Sequence, residues 1–405
     1  MAASVAQDVT PSRRTCPRDV YGDARGNIAS IMQRAVWRHF DLPQLLVTIL
    51  LIVLGGMMIY SSYEASLPQE GTTLLQNTVF RQGVFALLGL VLYLVVAALD
   101  YHLLITLSRW LYIFLLILLG VTMVLGWTSF GAQSWVEVWE NQGIQPSEFA
   151  KVLMIIVIAQ IMEQYEGAME SSLPFFVSVL MMAPPVVLIY LQPDFGIAVL
   201  LFLTWVGMVF LAGVRWRHIL LLVTVGIIAA PLVWFRMEDY MRDRVLMLIL
   251  PGYDPTGSSY NIRQALISIG SGGWWGKGWG QGTQSQLHFL RVRHTDFIFS
   301  VIAEEFGFVG SVLVLALFAF LILRLVRTAA LARDTSGRLI ASGVAVMLLI
   351  QTFINLGMNA NILPVTGLTL PLVSYGGSSL VSTLFALGLV QSVLMRHKDP
   401  EPDLL

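Results

Sequence analysis

The sequence predicts an all-α polytopic membrane protein with about ten transmembrane helices. Three observations predict it. Of 405 residues, 56% are hydrophobic and only 12% are charged, whereas a soluble domain carries about 25% charged residues. The apolar residues gather into runs of roughly 20, the length that crosses a hydrocarbon core. Arginines collect in alternate connections, as they do in loops that stay in the cytoplasm. Composition also excludes classes. A net charge of −1 argues against a nucleic-acid partner. The single cysteine, Cys16, excludes an internal disulfide framework and a cysteine-based metal site.

The candidate spans are 43–62, 79–99, 103–126, 146–163, 171–191, 194–213, 217–235, 296–325, 336–358 and 371–395. Gln192-Pro193 joins the fifth and sixth as a tight hairpin, and Pro184-Pro185 should kink the fifth. Residues 1–42 form a polar arm carrying Arg13, Arg14, Arg18, Arg25, Arg34 and Arg38. With no apolar core and small-residue cleavage site near its start, it reads as a cytoplasmic arm rather than a signal peptide. Residues 43–395 form the transmembrane domain, and 396–405 a cytoplasmic tail with Arg396 and Lys398. Arg215, Arg217 and His218 in the 6–7 connection, and Arg324, Arg327, Arg333 and Arg338 in the 8–9 connection, fall on the same side as both termini. Glu163, Glu166 and Glu170 of the 4–5 connection run against the trend, but acidic residues weigh little in this rule. The opposite side holds residues 62–78, 127–145, 359–370 and a large extracytoplasmic loop, 236–295, between the seventh and eighth spans.

That loop is not filler. Pro251–Gly257 is a turn cluster. Tyr260–Gly270 reads as an amphipathic helix with Ile262, Leu266 and Ile269 on one face. Gly270–Gln284 holds seven glycines and three tryptophans. The glycines permit close backbone approach or hinge motion, and the tryptophans suit the headgroup layer. The loop ends at Arg293-His294-Thr295-Asp296, followed by an apolar run containing Glu304 and Glu305. Ionisable residues at the mouth of a span are functional suspects. Asp296 suits the N-cap of a helix starting at Phe297, and equally a carboxylate at the aqueous end of a groove. On a continuous helix Glu304 would lie roughly 12 Å deeper, and at most one of the two glutamates could share the face of Asp296.

Three further clusters carry polar residues at span ends. Gln145–Lys151 places Glu148 and Lys151 at i, i+3, either as a buried structural pair or as the lining of a polar cavity. Gln192–Gly196 reads as a turn with Asp194 as N-cap. Leu363–Ser379, with Ser374, Gly376, Gly377 and Ser378, breaks the start of the tenth span; such backbone is tolerated at membrane depth only where it lines a cavity or is buried in protein. Physics alone therefore gives a ten-helix bundle with an outward polar groove and an aspartate at its edge. An enzyme acting on a lipid-linked substrate fits, and so does a transporter.

Taken in order from about residue 43 to 395, these segments resemble the SEDS family (shape, elongation, division and sporulation), the RodA, FtsW and SpoVE peptidoglycan glycosyltransferases. Gln281–Leu287 and Arg293–Asp296 are most like RodA, while Thr366–Pro371 is similar to FtsW. One departure stands out: Gly131-Ala132-Gln133-Ser134-Trp135 has serine where the family often has arginine. The resemblance implies an enzyme of the bacterial inner membrane, its active site facing outward, that polymerises lipid II into glycan strands during cell elongation and shape maintenance. The transfer would invert configuration, with undecaprenyl diphosphate leaving. Asp296 would be the catalytic base or the group that orients the acceptor. Substrate contacts would come from Glu148, Lys151, Arg81, Arg242, Arg244, Arg263, Lys277, Gln284, His294, Ser374 and Ser378. Asp194, Glu304, Glu305, Gly376 and Gly377 would shape the cavity. The sequence offers no dedicated metal cage, so a divalent cation (Mg or Mn) would enter with the diphosphate. The implied partners are lipid II and the nascent glycan, a class B penicillin-binding transpeptidase and membrane proteins of the elongation complex. The rival readings are a lipid II flippase and a non-catalytic scaffold for the transpeptidase.

Overall fold

The computed structural model describes residues 37–64, 77–129, 132–139, 142–166, 171–237, 239–249, 258–287, 289–290 and 293–398. Most of the predicted arm, the tail from residue 399 and the Pro251–Gly257 turn cluster lie outside the described residues. The helices are α1 (Leu42–Glu64), α2 (Thr78–Ala98), α3 (Tyr101–Thr106), α4 (Ser108–Leu125), α5 (Pro146–Gln164), α6 (Leu173–Leu191), α7 (Phe195–Leu211), α8 (Trp216–Arg236), α9 (Asp239–Ile249), α10 (Ser258–Ser271), α11 (Thr283–Gln286), α12 (Ile298–Leu331), α13 (Thr335–Asn359) and α14 (Gly377–Met395).

Among the described residues, α1, α2, α6, α8, α12, α13 and α14 are long and apolar enough to cross a membrane. The shorter apolar helices α4 and α7 and the charge-bearing α5 occupy the remaining predicted places. The chain is therefore a multi-pass membrane protein. Pro184 and Pro185 lie inside one helix, α6. The tenth span starts at Gly377 and not at 371, because the residues before it form a turn.

The connection after α4 is not helical. Residues Trp127–Ser129, Ala132–Trp139 and Gln142–Ile144 form an antiparallel three-stranded sheet, β1-β2-β3, with Val136 opposite Ile144. The reason is local: Trp135-Val136-Glu137-Val138-Trp139 alternates aromatic and β-branched residues with a charge, a strand pattern too short to span.

The core is built on α13 and α14, which are buried along most of their length. α14 packs on α2, and α13 packs on α12, α7 and α5. α8 is the opposite case: among its residues only His218 is buried. Polar contacts gather at one end of the bundle. Tyr101 and Ser336 donate to Asp334, Ser336 also donates to Glu163, and Arg324 pairs with Asp41 at 2.8 Å. These are the connections and chain ends that arginine placement assigns to one side. The 4–5 acids that ran against the trend are used here, since Thr335 donates to Glu166.

Within the large loop, α10 forms as expected, but its buried face differs. Ile262, Ala265 and Ser268 are buried towards α12, while Leu266 is 40% exposed. Small side chains let two helices approach closely, and that outweighs the apolar pattern.

α12 is interrupted at Gly307, which sits at φ +67°. A broken helix frees backbone groups that hydrocarbon cannot satisfy. The Gly/Trp segment satisfies them. Lys277 and Gly278 donate their N–H groups to the carbonyls of Glu304 and Glu305, each at 3.0 Å, while Phe308 and Val309 donate to Gly273 and Trp274 at 2.8 and 3.1 Å. A Cβ on Gly276 would meet the Glu305 carbonyl oxygen at 2.1 Å, and one on Gly307 would meet the Gly276 nitrogen at 2.3 Å. The glycines thus seat the loop on the helix rather than act as hinges. Gly276→Ala, which faces both this collision and a φ of +78°, is expected to cost on the order of 2–4 kcal/mol. A clear drop in the thermal midpoint of the purified protein checks this, whereas an unchanged midpoint removes the interlock as a source of stability.

Candidate active site

The last residues of the large loop, Arg293–Phe297, form a turn that leads into α12. The position that caps α12 is Phe297, with no side-chain hydrogen bond, so Asp296 is not the N-cap. Its carboxylate is therefore not tied to the start of the helix. The turn is held instead through its own backbone. The His294 carbonyl accepts the Tyr375 N–H at 2.9 Å. The Thr295 carbonyl accepts the Ser374 hydroxyl at 2.6 Å. The Asp296 carbonyl accepts two side-chain amides, Asn355 Nδ2 at 3.1 Å and Asn359 Nδ2 at 3.0 Å. From α1, the Ser62 carbonyl accepts Arg293 Nε at 2.7 Å.

Residues 360–376 cross this turn as an irregular strap. Asn355 Nδ2 donates to the Leu368 carbonyl at 2.7 Å, and Gln351 Nε2 to the Thr369 carbonyl at 3.0 Å. Gln82 of α2 grips the far end, donating to the Ser374 carbonyl and accepting from the Gly376 N–H, both at 3.3 Å. A Cβ on Gly367 would lie 4.0 Å from Asp296 Oδ2, so the strap passes directly over the carboxylate. At Gly377 the backbone comes so close to Phe85 that a Cβ would sit 2.6 Å from the ring.

The electrostatics follow from burial. Loss of water pushes the Asp296 carboxyl up to about 6, although Arg244 and a hydrogen bond from Thr295 pull it down. Burial, with Arg293 adjacent, holds His294 below its usual value, so it is neutral near pH 7. Its ring meets Tyr375 edge-on at 5.7 Å. Arg81 acts on Tyr375 from α2 and keeps its Nε buried with no hydrogen-bond partner among the described residues.

Two neighbouring clusters connect to the strap. Asp194 caps α7, as expected, by accepting the Ile197 N–H at 3.3 Å. It also accepts Gln145 Nε2 at 2.7 Å and the Ser147 hydroxyl at 3.0 Å, which ties the start of α5 to α7. Ser378 accepts the Gln145 N–H at 3.0 Å. Glu148 and Lys151 form a buried ion pair at 2.6 Å. Lys151 Nζ also donates to Gln351 Oε1 at 3.1 Å, and Ser382 to Glu148 at 3.4 Å.

The structure therefore brings together Asp296, His294, Arg244, Ser374, Gly376 and, through Tyr375, Arg81. Other candidates are engaged elsewhere. Arg242 holds the last carbonyls of α8, Trp234 at 3.0 Å and Phe235 at 2.8 Å. Arg263 lies on the exposed side of α10. Lys277 pairs with buried Glu304 at 2.8 Å, and the Gln284 N–H donates to the same carboxylate at 3.0 Å. Glu304 is thus an anchor for the loop, and Glu305 accepts the Ser61 hydroxyl at 2.5 Å. Ser134 lies on β2, and its side chain is outside the described atoms. Among the described residues no group of three or more His, Cys, Asp or Glu side chains is placed to hold a metal ion.

Sequence reasoning missed Gln351, Asn355 and Asn359, all fully buried on α13. Their signal was present: three amides at spacings of four on one face of an apolar span.

A multi-pass bundle with a semi-buried carboxylate, an overlying strap and flanking arginines defines a membrane enzyme working at the end of its helices. The chain belongs to the FTSW_RODA_SPOVE family of cell cycle proteins, which it matches over residues 42–399. It is 39% identical to peptidoglycan glycosyltransferase MrdB of Escherichia coli K12 over 363 residues, covering 89% of this chain and 95% of that one. It is 35% identical to a probable peptidoglycan glycosyltransferase FtsW of Geobacter sulfurreducens over 374 residues, covering 89% and 96%. A chain from a solved peptidoglycan synthase complex, in which polymerization and crosslinking are coordinated, superposes with TM-score 0.76 at 33% identity, covering 89% of this chain and 99% of that one. Rod shape determining protein RodA of Thermus thermophilus gives 0.66 at 33% identity, covering 89% and 98%.

Lys151→Met leaves Glu148 as an unpaired buried charge and should cost about 3–5 kcal/mol. A thermal scan checks this, and a variant with an unchanged midpoint but no activity makes Lys151 a substrate ligand instead. Asp296 gives a second expectation. Its folded value of about 6 lies above the ordinary 3.8. Its stabilising contribution is therefore present below about pH 4 and is lost as pH rises through about 6. Asp296→Asn should raise the thermal midpoint at pH 7.5, by on the order of 1–2 kcal/mol in stability, and leave it little changed near pH 4. Equal midpoints at pH 7.5 contradict the burial argument.

Proposed function

We propose that this chain is a peptidoglycan glycosyltransferase that polymerises lipid II at the outer face of the bacterial inner membrane, in the manner of RodA. The observation that carries the reading is Asp296: a carboxylate raised towards neutral pH, released from capping, and fixed through its own carbonyl beneath the strap. A general base works best when its pKa lies near the operating pH. The acceptor's GlcNAc 4-hydroxyl oxygen attacks the anomeric carbon of the donor MurNAc. The bond from that carbon to the phosphate oxygen breaks, undecaprenyl diphosphate leaves with the electron pair, and configuration inverts. Asp296 takes the hydroxyl proton. Neutral His294 donates or accepts a hydrogen bond at the sugar, and Arg244 and Arg81 supply positive charge to the departing diphosphate. A divalent cation would enter with that diphosphate and add to the same charge.

The relative taken from a peptidoglycan synthase complex supports a penicillin-binding transpeptidase as the partner for crosslinking. The likeness to both MrdB and FtsW supports the polymerase chemistry, and the RodA-like Gln281–Leu287 and Arg293–Asp296 segments favour elongation over division. Lys277, Gln284, Arg242 and Arg263 have no part in the transfer on this reading.

The test is polymerisation of purified lipid II by the purified chain, with and without a class B transpeptidase. The wild type is expected to yield glycan ladders on a gel. Asp296→Asn should fold normally and lose about 10²–10⁴ in rate. Near-normal ladders from that variant would remove Asp296 as the base. Movement of fluorescent lipid II across vesicles without ladders would favour a flippase, and stimulation of the transpeptidase alone a scaffold.

A further inference from the structure

We infer that Asn355 and Asn359 are positioning residues for Asp296: a two-amide clip on α13 that holds the Asp296 backbone carbonyl and thereby sets where its carboxylate stands. This inference rests on the reading of Asp296 as the base.

The geometry is specific. A carbonyl oxygen has two lone pairs, and both at Asp296 are taken by side-chain amides, Asn355 Nδ2 at 3.1 Å and Asn359 Nδ2 at 3.0 Å. Both asparagines are fully buried. A four-residue spacing sets them one above the other on α13. Neither amide is free to turn away. Asn355 spends its second N–H on the Leu368 carbonyl at 2.7 Å, and Asn359 spends its own on the Asn355 carbonyl at 2.8 Å. Ser300, in the first turn of α12, donates its hydroxyl to Asn359 Oδ1 at 2.6 Å. The Asp296 and Asn355 carbonyls can only accept, so Asn359 must turn its nitrogen to them, and the Ser300 hydroxyl steadies the oxygen on the other side. One pair of side chains thus joins the strap, at Leu368, to the turn, at Asp296.

A purely structural tether could grip any carbonyl of the turn. This one grips the residue whose side chain is proposed to react, one bond from its Cα. A displacement of about 1 Å at a reacting group can cost 10²-fold in rate, so the clip is where such a displacement would start. The charged and titratable groups around the turn are Arg244 from α9, Arg293 and His294 on the turn itself, Tyr375 on the strap and Arg81 on α2. None of them lies on α13, so substitutions there change no nearby charge.

The test uses the full chain with lipid II. Asn359→Leu keeps the side chain's size and removes its donors. Ser300→Ala is the milder variant, which leaves both asparagines but removes the hydrogen bond that steadies Asn359 Oδ1. Asn359→Leu is expected to lower kcat about 10–100-fold with KM for lipid II changed less than about threefold, and Ser300→Ala to do the same about 3–10-fold. Both should move the acid limb of the rate profile to lower pH, because a loosened turn lets the carboxylate regain water. Carbon-13 NMR of aspartate-labelled protein, with Asp296→Asn to assign the signal, should show the Asp296 titration moving the same way. If Asn359→Leu does not fold, Ser300→Ala carries the test alone. Rates that fall only with the folded fraction, with the acid limb and the Asp296 titration unmoved, overturn the inference and leave the asparagines as packing. If Asp296→Asn keeps its activity, the base reading fails separately, and the NMR titration alone decides whether the clip acts on Asp296.

Discussion

The structure depends on one constraint: backbone that leaves the helix inside the bundle must find hydrogen-bond partners within the protein. Three segments leave it. α12 breaks at Gly307, the strap 360–376 interrupts the path from α13 to α14, and the turn at Arg293–Phe297 precedes α12. Each is satisfied by the others or by side chains aimed at it. The Gly/Trp segment closes the break. The α13 amides and Gln82 close the strap, and the strap and the same asparagines hold the turn. The strap and the turn are therefore one interlocked unit, and the Gly/Trp segment and the broken helix are another.

The first unit has a chemical consequence. Fixing the turn through its carbonyls leaves the Asp296 side chain unpaired by any cap and short of water. Burial that raises a carboxyl towards neutrality opposes folding above that pH, and it suits a proton acceptor. Around it the fold keeps Arg244, Arg293 and Arg81, the last with its Nε buried and without a hydrogen-bond partner among the described residues. The buried Glu148–Lys151 pair belongs to the same scaffold through Gln351, which takes Lys151 with its oxygen and gives its N–H to the strap. α8, with only His218 buried, stands apart from this core and contributes little to it.

Much of this was legible in the sequence, and the rest was hidden for physical reasons. The seven long spans and the shorter apolar helices followed from apolar runs, and the places of Asp296, Asp194 and the Glu148–Lys151 pair followed from charge at span ends. The Asp296 cap did not materialise, because capping depends on where the turn places the side chain, and tertiary contacts to Ser374 and Asn355 decide that. The buried face of α10 was misread because small residues, not large ones, set its contact with α12. The glycines looked like hinges, but their role is visible only beside the broken helix. The sequence also does not show that Lys277 and the Gln284 N–H meet Glu304, because that contact joins residues some 20 to 27 positions apart. The strand pattern at 135–139 and the amides at 351, 355 and 359 were present in the sequence, with a signal that a search for charge passes over.

The measurement that bears most directly on the account is a structure of this chain with a lipid II acceptor and donor bound. The account predicts the acceptor 4-hydroxyl within hydrogen-bond distance of an Asp296 carboxylate oxygen, under the strap at Gly367, with the diphosphate towards Arg244 and Arg81. An acceptor hydroxyl bound away from Asp296, for example beside Lys151, would contradict it.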